Sequence, residues 1–293
     1  MFFSPSKVDL LRLDDRDIYI KRDDLLHPMY SGNKIRKLYA LLENETLGHL
    51  VSYGGYQSNA MLSMAYFAHG KKIPFTYITK PVPDWVKDLQ SGNYYEAKRL
   101  GMENIQVVHT GYQETIQNLP RIYPEATLVD QGAANPFAES GIALLATELN
   151  AFIEGEQLQD VTLLLPSGTG ATSLYLAKHI RADATVYTTA CVGDADYLQA
   201  QWHRLEPDLQ RYPTILATQK KHHFAKPYRE LWEVFKKLET TGIAFDMVYA
   251  PKTWLAYLEN EALFEGKTVI YVHTGGVIGN VTQRLRYERK GMV

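Results

Sequence analysis

The stretch VTLLLPSGTGAT, residues 161–172, decides the fold because an apolar strand runs into a glycine-rich loop and then into a helix. Helical spacing continues through Leu174 and Ala177. Helices are also expected at 136–154 and 227–239. The alternation predicts an α/β protein with mainly parallel sheet, in which ligands bind where strands end. The other apolar, β-branched runs that we interpret as strands are 49–53, 74–79, 105–109, 126–130, 184–192, 245–250 and 267–274.

The composition is that of an ordinary globular protein. The 293 residues are 45% hydrophobic and 22% charged, and 31 Lys and Arg face 33 Asp and Glu, which gives a net charge of −2. This balance disfavours nucleic acid and acidic membrane surfaces as partners and favours a small molecule. The chain is long enough for one large domain or two moderate ones.

Cysteine content and the apolar runs predict a cytoplasmic protein. Cys191 is the only cysteine, which excludes an intrachain disulfide framework and a CxxC metal or redox motif. The first residues, MFFSPSKVDL, lack a signal-peptide apolar region, and no segment approaches about 18 uninterrupted apolar residues. No metal site is expected, because His222 and His223 have no third ligand at a suitable spacing.

The loop at 167–172 has the character of a phosphate cradle. Its glycines permit close approach, its hydroxyls are additional donors, and free N–H groups at a helix start attract anions. The spacing fits neither a P-loop nor the Rossmann GxGxxG motif. A tight turn with a threonine cap is the alternative interpretation.

A second loop, GGYQSN at 54–59, follows the strand at 49–53 and opens a helix. Gln57, Ser58 and Asn59 together suit a carboxylate, which gains from the N–H groups and the dipole of a helix start. Simple capping of the helix by Ser58 or Asn59 is the alternative.

Lys34 lies in a third such segment, SGNK at 31–34, at the start of an amphipathic stretch. A lysine there is ordinarily a solvated first-turn residue. The helix dipole disfavours its charge, however, and a lowered amine pKa is what a lysine needs to attack a carbonyl group.

Five motifs occur together in one order: KRDDL at 21–25, SGNKxRKL at 31–38, GGxQSN at 54–59, GTGAT at 168–172 and HTGGxxG at 273–279. In this order they resemble the D-cysteine desulfhydrase and 1-aminocyclopropane-1-carboxylate (ACC) deaminase family of pyridoxal 5'-phosphate (PLP) enzymes. The resemblance spans residues 21 to 279.

The resemblance implies the tryptophan synthase β-subunit-like fold, PLP fold type II, with two open, twisted, mainly parallel sheets flanked by helices. It places residues 1–44 and 137–293 in a large PLP-binding domain and 45–136 in a small inserted domain. It also implies a homodimer.

The resemblance further implies the site residues. Lys34 matches the lysine that binds PLP as a Schiff base, and Thr274 matches a hydroxyl that faces the pyridine nitrogen. Ser58 and Tyr249 match catalytic groups; without the resemblance, Tyr249 is a tyrosine packed in the core at a strand end. The expected phosphate site is Gly168, Thr169, Gly170, Ala171 and Thr172, Asn59 would bind the cofactor 3′-oxygen, and Gln57, Ser58, Asn59 and Tyr249 would contact the substrate.

The implied reaction is a β-elimination. Lys34 would remove the Cα proton of a PLP-bound amino acid, and a group on Cβ would leave. With D-cysteine, sulfide would leave and water would hydrolyse the remaining aminoacrylate to pyruvate and ammonia. Ala250 and Thr274 differ from the Glu and Leu expected in deaminases and disfavour ACC ring opening, although Ala250 also differs from the hydroxyl residue expected in desulfhydrases. Ser31 replaces the first glycine of the family's GGNK, and Ala60 to Ser63 lack the polar and basic residues that usually follow QSN.

Three alternatives stay open from the sequence. The chain could be an ACC deaminase or a lyase for another D-amino acid. It could bind PLP without turnover and act as a buffer or sensor. It could also be an α/β nucleotide-phosphate binder that uses 166–172 and does not need Lys34.

Overall fold

The computed structural model describes residues 4–13 and 16–293. The strands are β1 Val8–Leu13, β2 Arg16–Lys21, β3 Leu50–Tyr53, β4 Phe75–Thr79, β5 Glu103–Gln106, β6 Thr127–Val129, β7 Val161–Ser167, β8 Thr185–Ala190, β9 Thr214–Ile215 and β10 Thr268–Val272. The helices are α1 Lys34–Lys37, α2 Tyr39–Glu43, α3 Asn59–Lys71, α4 Asp84–Lys87, α5 Asn93–Arg99, α6 Tyr112–Ile122, α7 Ala138–Gly155, α8 Ala171–His179, α9 Ala195–Leu205, α10 Arg229–Glu239, α11 Ala250–Glu259 and α12 Asn280–Glu288.

The larger sheet has six strands in the order β1-β2-β10-β7-β8-β9. Only the edge pair β1 and β2 is antiparallel. Strand β7 is continuously apolar because both of its faces are covered: Leu163 and Leu165 pack in one core with α7 and α8, and Leu164 packs in another with α11. The predicted α/β class with mainly parallel sheets is confirmed.

The smaller sheet has four parallel strands in the order β5-β4-β3-β6. All four strands lie between residues 50 and 129, inside the range 45–136 predicted for the inserted domain. The domain boundaries themselves stay a prediction. Helix α3 leaves the carboxyl end of β3 by way of the 54–58 loop, so this loop faces the space between the two sheets.

One predicted strand is wrong. Residues 245–250 form no strand; they lead into α11, which begins at Ala250. The Asp246 carboxylate accepts hydrogen bonds from the N–H groups of Val248, Tyr249 and Ala250, and Pro251 occupies the first helical turn. These are helix-start features, and they override the apolar character of the segment. Tyr249 is therefore at a helix start and not at a strand end.

The predicted strand at 105–109 is observed as β5 at Glu103–Gln106. Strands β1, β2 and β9 were not among the predicted runs. Among the described residues, no helix combines the length and the apolar character needed to span a membrane.

Candidate active site

A cavity of about 420 Å³ lies between the two sheets, within the size range of small-molecule sites. Its walls include the loops that follow the carboxyl ends of β3, β7 and β10. Of the predicted site residues, only Ala171 does not line the cavity, because its side chain is buried in the core beside α7. The lining set is Lys34, Gln57, Ser58, Asn59, Gly168, Thr169, Gly170, Thr172, Tyr249 and Thr274.

The loop after β7 has the donors that a phosphate group needs. Within the described residues, the backbone N–H groups of Gly168, Thr169 and Gly170 make no hydrogen bond. Gly170 has φ +80°, and a Cβ there would lie 2.5 Å from Leu198 Cδ1 and Trp202 Nε1. The loop therefore requires glycine at this position, and its free donors face the cavity at the start of α8.

Lys34 is a buried amine in the same cavity. Its Nζ donates to Oδ1 of Asn33 at 2.9 Å, and Nδ2 of Asn33 donates to the Thr172 hydroxyl at 3.3 Å. This chain of contacts joins the lysine to the phosphate-loop helix. Burial lowers the pKa of Lys34 to about 8, although the negative charge of Asp246 acts in the opposite direction.

The Lys34 segment is held by close backbone contact with the loop after β10. The N–H of Asn33 donates to the carbonyl of Thr274 at 3.1 Å. Gly32 has φ +67°, and a Cβ on it would lie 2.6 Å from that same carbonyl oxygen. The motifs at 31–34 and 273–276 are therefore two sides of one contact, which explains why both contain glycine.

Beneath Lys34, the KRDD motif forms a buried ion cluster. Arg36 donates to Asp23 through two nitrogens, at 2.7 and 2.8 Å, and to Glu148 at 2.8 Å. Lys21 also pairs with Glu148, at 2.6 Å. Removing one member of such a cluster leaves an uncompensated buried charge, which costs about 3–5 kcal/mol. The cluster anchors α1, the helix that begins with Lys34.

The loop after β3 is organised by helix capping and by Asn93. The Ser58 hydroxyl accepts the N–H groups of Ala60 and Met61 at 3.2 and 3.3 Å, so the capping interpretation holds for Ser58. Asn93 donates to Oδ1 of Asn59 at 2.7 Å and to the carbonyl of Gln57 at 2.8 Å. Nε2 of Gln57 is buried without a partner in the described residues. An orphaned donor at a helix start suits a carboxylate ligand.

Tyr249 lies over the start of the phosphate loop. A Cβ on Gly168 would be 3.6 Å from the Tyr249 hydroxyl oxygen, and the Phe224 ring lies 5.5 Å from the Tyr249 ring. Burial raises the pKa of Tyr249, so its phenol is neutral and able to donate a proton. Burial also raises the pKa of Asp246, while the hydrogen bonds that its carboxylate accepts from backbone N–H groups lower this pKa.

Sequence reasoning missed several residues of the cavity and its support, among them Lys37, Asn93, Asp246, Gln283 and Arg286. Lys37 donates to the carbonyl of Gly132 at 3.0 Å, and burial together with the charge of Lys34 holds its pKa well below the ordinary value. Lys37 was within the quoted SGNKxRKL motif, three residues after Lys34 on the same helical turn. That spacing was the available signal.

No protein-family model matches the chain. One similar protein comes from Thermotoga maritima and is provisionally named a 1-aminocyclopropane-1-carboxylate deaminase. It is 26% identical over 96% of this chain and 97% of its own length. The mitochondrial bifunctional D-cysteine desulfhydrase/1-aminocyclopropane-1-carboxylate deaminase of Arabidopsis thaliana is 23% identical over 90% of this chain and 73% of its own.

Over at least 90% of its length, this chain is similar to proteins named as ACC deaminases and D-cysteine desulfhydrases. The crystal structure of an ACC deaminase homologue superposes with a TM-score of 0.77 at 22% identity, covering 99% of this chain and 94% of that one. The predicted family resemblance and the predicted fold are confirmed. The predictions of an enzyme and of PLP as its cofactor agree with these relatives.

The residues present fit PLP. The cavity combines a buried lysine of lowered pKa, a loop of free N–H donors at a helix start, and an orphaned amide donor beside a second helix start. The free N–H groups suit a phosphate, the lysine amine suits an aldehyde, and the amide donor suits a carboxylate.

Proposed function

We propose that this chain is a PLP-dependent lyase or deaminase of a small amino acid, with β-elimination from D-cysteine as the first reaction to test. The observation that carries the proposal is the buried Lys34 amine in one cavity with the phosphate loop at 168–172. The bound cofactor would supply an electron sink for a carbanion at the substrate Cα.

Lys34 would hold the cofactor and then move the Cα proton. Its lowered pKa keeps a substantial fraction of the amine neutral near pH 8, which both tasks require. The side-chain oxygen Oδ1 of Asn33 accepts a hydrogen bond from Lys34 Nζ and thereby orients the amine. The N–H groups of Gly168 to Gly170 would bind the phosphate, with Thr172 and Asn33 linking that loop to Lys34.

The loop after β3 would hold the substrate carboxylate. Nε2 of Gln57 is a buried donor with no protein partner in the described residues, and it lies at the start of α3. Ser58 accepts two backbone N–H groups and also hydrogen-bonds the buried Tyr77 hydroxyl. These contacts would fix its hydroxyl beside the substrate carboxylate. Nδ2 of Asn59, oriented by Asn93, would donate to the cofactor 3′-oxygen.

Tyr249 and Thr274 would complete the site. The neutral Tyr249 phenol would pass a proton to the departing group or to the product. The Thr274 side chain lines the cavity next to the Lys34 segment, and as a neutral hydroxyl it would leave the pyridine nitrogen largely unprotonated. This choice suits elimination more than ring opening.

Ring opening of ACC is the second candidate, and the relatives' names are its support. The side chain at the position after Tyr249 is a buried Ala250, whose N–H donates to Asp246. It has no carboxylate that could take part in proton transfer. We therefore place D-cysteine before ACC. A homodimer and a cytoplasmic location belong to the same proposal.

The experiment is a product assay on the purified chain supplied with PLP. Sulfide, pyruvate and ammonia from D-cysteine would support the elimination, and 2-oxobutyrate from ACC would support the deaminase. Lys34→Ala in the same assays is the control for reactions of free PLP. A chain that takes up PLP and forms neither product would favour the non-catalytic binding protein.

A further inference from the structure

Helix α12 forms one wall of the cavity and places a cation in it. Asn280, Thr282, Gln283 and Arg286 all line the cavity. Gln283 and Arg286 are three residues apart and therefore neighbours on one face of the helix. The Arg286 side chain reaches across to Tyr56, whose hydroxyl it contacts at 3.4 Å. Tyr56 directly precedes Gln57, the residue proposed for the substrate carboxylate.

Within the described residues, Arg286 has no carboxylate partner. Its two hydrogen bonds go to neutral oxygens, the Tyr56 hydroxyl and the Ala225 carbonyl at 3.2 Å. The nearby Arg284 is a useful contrast, because it leaves the helix in another direction and pairs with Glu239 at 2.9 Å. A guanidinium has five N–H donors, so Arg286 keeps donors for a ligand.

The position of Arg286 is fixed by the loop before α10. Nε2 of Gln283 donates to the Ala225 carbonyl at 3.2 Å, and this is the oxygen that Arg286 also contacts. Ala225 has φ +54°, a conformation that costs energy for any residue other than glycine. The carbonyl of Ala225 is therefore an acceptor that Gln283 and Arg286 share, and it holds both of their side chains at the cavity wall.

The other cations of the cavity already have tasks. Lys34 would hold the cofactor, and Lys37 donates to Gly132, which lies against Thr169 of the phosphate loop. The substrate α-carboxylate is assigned to the start of α3. Arg286 is a further charge, beside that position and on the opposite domain, and neither the cofactor nor the α-carboxylate requires it.

We propose that Arg286 determines specificity by binding an anionic group at the end of the substrate side chain. This inference rests on the proposed function and narrows its substrate class. The anion is a carboxylate or a thiolate, since both are compact acceptors for a guanidinium. Phe224, 48% exposed and also lining the cavity, provides an apolar wall beside it.

The test measures binding and needs no turnover. The PLP-loaded protein is titrated in a calorimeter with three acids that lack an amine and therefore cannot displace Lys34 from the cofactor, and the cofactor absorption is followed so that addition of a thiol to the cofactor is detected. Succinate represents a side-chain carboxylate, 3-mercaptopropionate a side-chain thiol or thiolate, and butanoate neither. The variants are Arg286→Gln, Arg286→Lys and, as the matched control on the same helix, Arg284→Gln. The cofactor absorption of each sample is recorded beforehand.

We expect the wild type to bind succinate or 3-mercaptopropionate at least about tenfold more tightly than butanoate, and the stronger of the two identifies the anion. Arg286→Gln should abolish the preference, Arg286→Lys should retain part of it, and Arg284→Gln should leave it intact. Equal affinities for the three acids in the wild type would overturn the inference even if Arg286→Gln failed to fold.

A preference that survives in Arg286→Gln would also overturn the inference, and would assign Arg286 to the contact with Tyr56 alone. The cofactor spectrum distinguishes failure of the Arg286 role from failure of the proposed function. A wild type that takes up PLP but does not discriminate refutes only the role of Arg286. A wild type that takes up no PLP refutes the proposed function and this inference together.

Discussion

Nδ2 of the buried Asn93 donates to Oδ1 of Asn59 at 2.7 Å, and this contact determines which end of the Asn59 amide is free. Nδ2 of Asn59 lies so close to Gly276 that a Cβ there would be 2.3 Å away. Asn59 and Gly276 both line the cavity. A residue on α5 thus orients a donor at the start of α3 toward the proposed cofactor site.

Asn93→Ala should weaken PLP binding because the Asn59 amide would lose its orienting partner. One buried hydrogen bond of this kind is worth about 1–2 kcal/mol, so the dissociation constant for PLP should rise about tenfold. A spectrophotometric titration of the apoprotein measures this. Asn118→Ala, on the exposed face of α6, is the control. An unchanged PLP affinity in Asn93→Ala would refute the positioning role.

Gly170→Ala should distort the phosphate loop. The added methyl group would meet Leu198 and Trp202 at 2.5 Å in a conformation with φ +80°. We expect a loss of about 1–3 kcal/mol in the free energy of unfolding, together with weaker PLP binding. Denaturant unfolding and PLP titration test both effects. Gly155→Ala, where no atom lies within 4 Å, should be neutral; a neutral Gly170→Ala would contradict the account of the loop.

PLP loading should depend on pH through Lys34. The amine must be neutral to react, and burial lowers its pKa to about 8, so the loading rate should rise as the pH passes through about 8. The stability sign follows from the same shift. Between about pH 8 and the ordinary lysine pKa, the unfolded chain binds more protons, so Lys34 contributes rising stability of the apoprotein with pH in that window.

Asp246→Asn provides the internal comparison for this titration. The Asp246 charge raises the pKa of Lys34 against the effect of burial, so its removal should move the midpoint of PLP loading to lower pH. Stopped-flow absorption between pH 6 and 10 measures both midpoints. A midpoint near the ordinary lysine value in the wild type, or an upward shift in Asp246→Asn, would be inconsistent with this electrostatic description.

Tyr249→Phe should retain PLP and lose turnover. The hydroxyl contributes no hydrogen bond within the described residues, so the fold should tolerate its removal, while the loss of a proton donor typically lowers kcat about 10²-fold. The measurement is kcat with the active substrate, alongside the cofactor spectrum. Undiminished kcat would show that another group transfers this proton.

The loops of the site could be predicted from sequence because each one follows its own strand. Gly168 to Thr172 and Gln57 to Asn59 are small or polar residues directly after an apolar run, and this local pattern indicates a strand end that faces a ligand. Local patterns also indicated mainly parallel sheet and most of its strands, although they missed β1, β2 and β9, and the division into two sheets came from the family resemblance. Local patterns do not show which polar residues become buried through contacts with distant parts of the chain.

Asn93, Gln283 and Arg286 illustrate that limit. Each lies in a polar stretch that resembles an ordinary solvated helix, and each acquires its place from a partner far away in sequence: Asn59 for the first and Ala225 for the other two. Asp246 was overlooked for another reason. Its segment has the composition of a strand, and only the helix-start pattern of Asp246 with Pro251 indicated otherwise.

The central claim is that Lys34 carries the cofactor, and borohydride reduction followed by peptide mass spectrometry tests it most directly. Purified protein loaded with PLP is reduced, digested and mapped, with Lys34→Ala as the comparison. We predict one reduced pyridoxyl adduct on the peptide that contains Lys34, loss of the visible absorption band on reduction, and neither signal in Lys34→Ala. An adduct on Lys37 or another lysine, or no adduct in the wild type, would contradict the account.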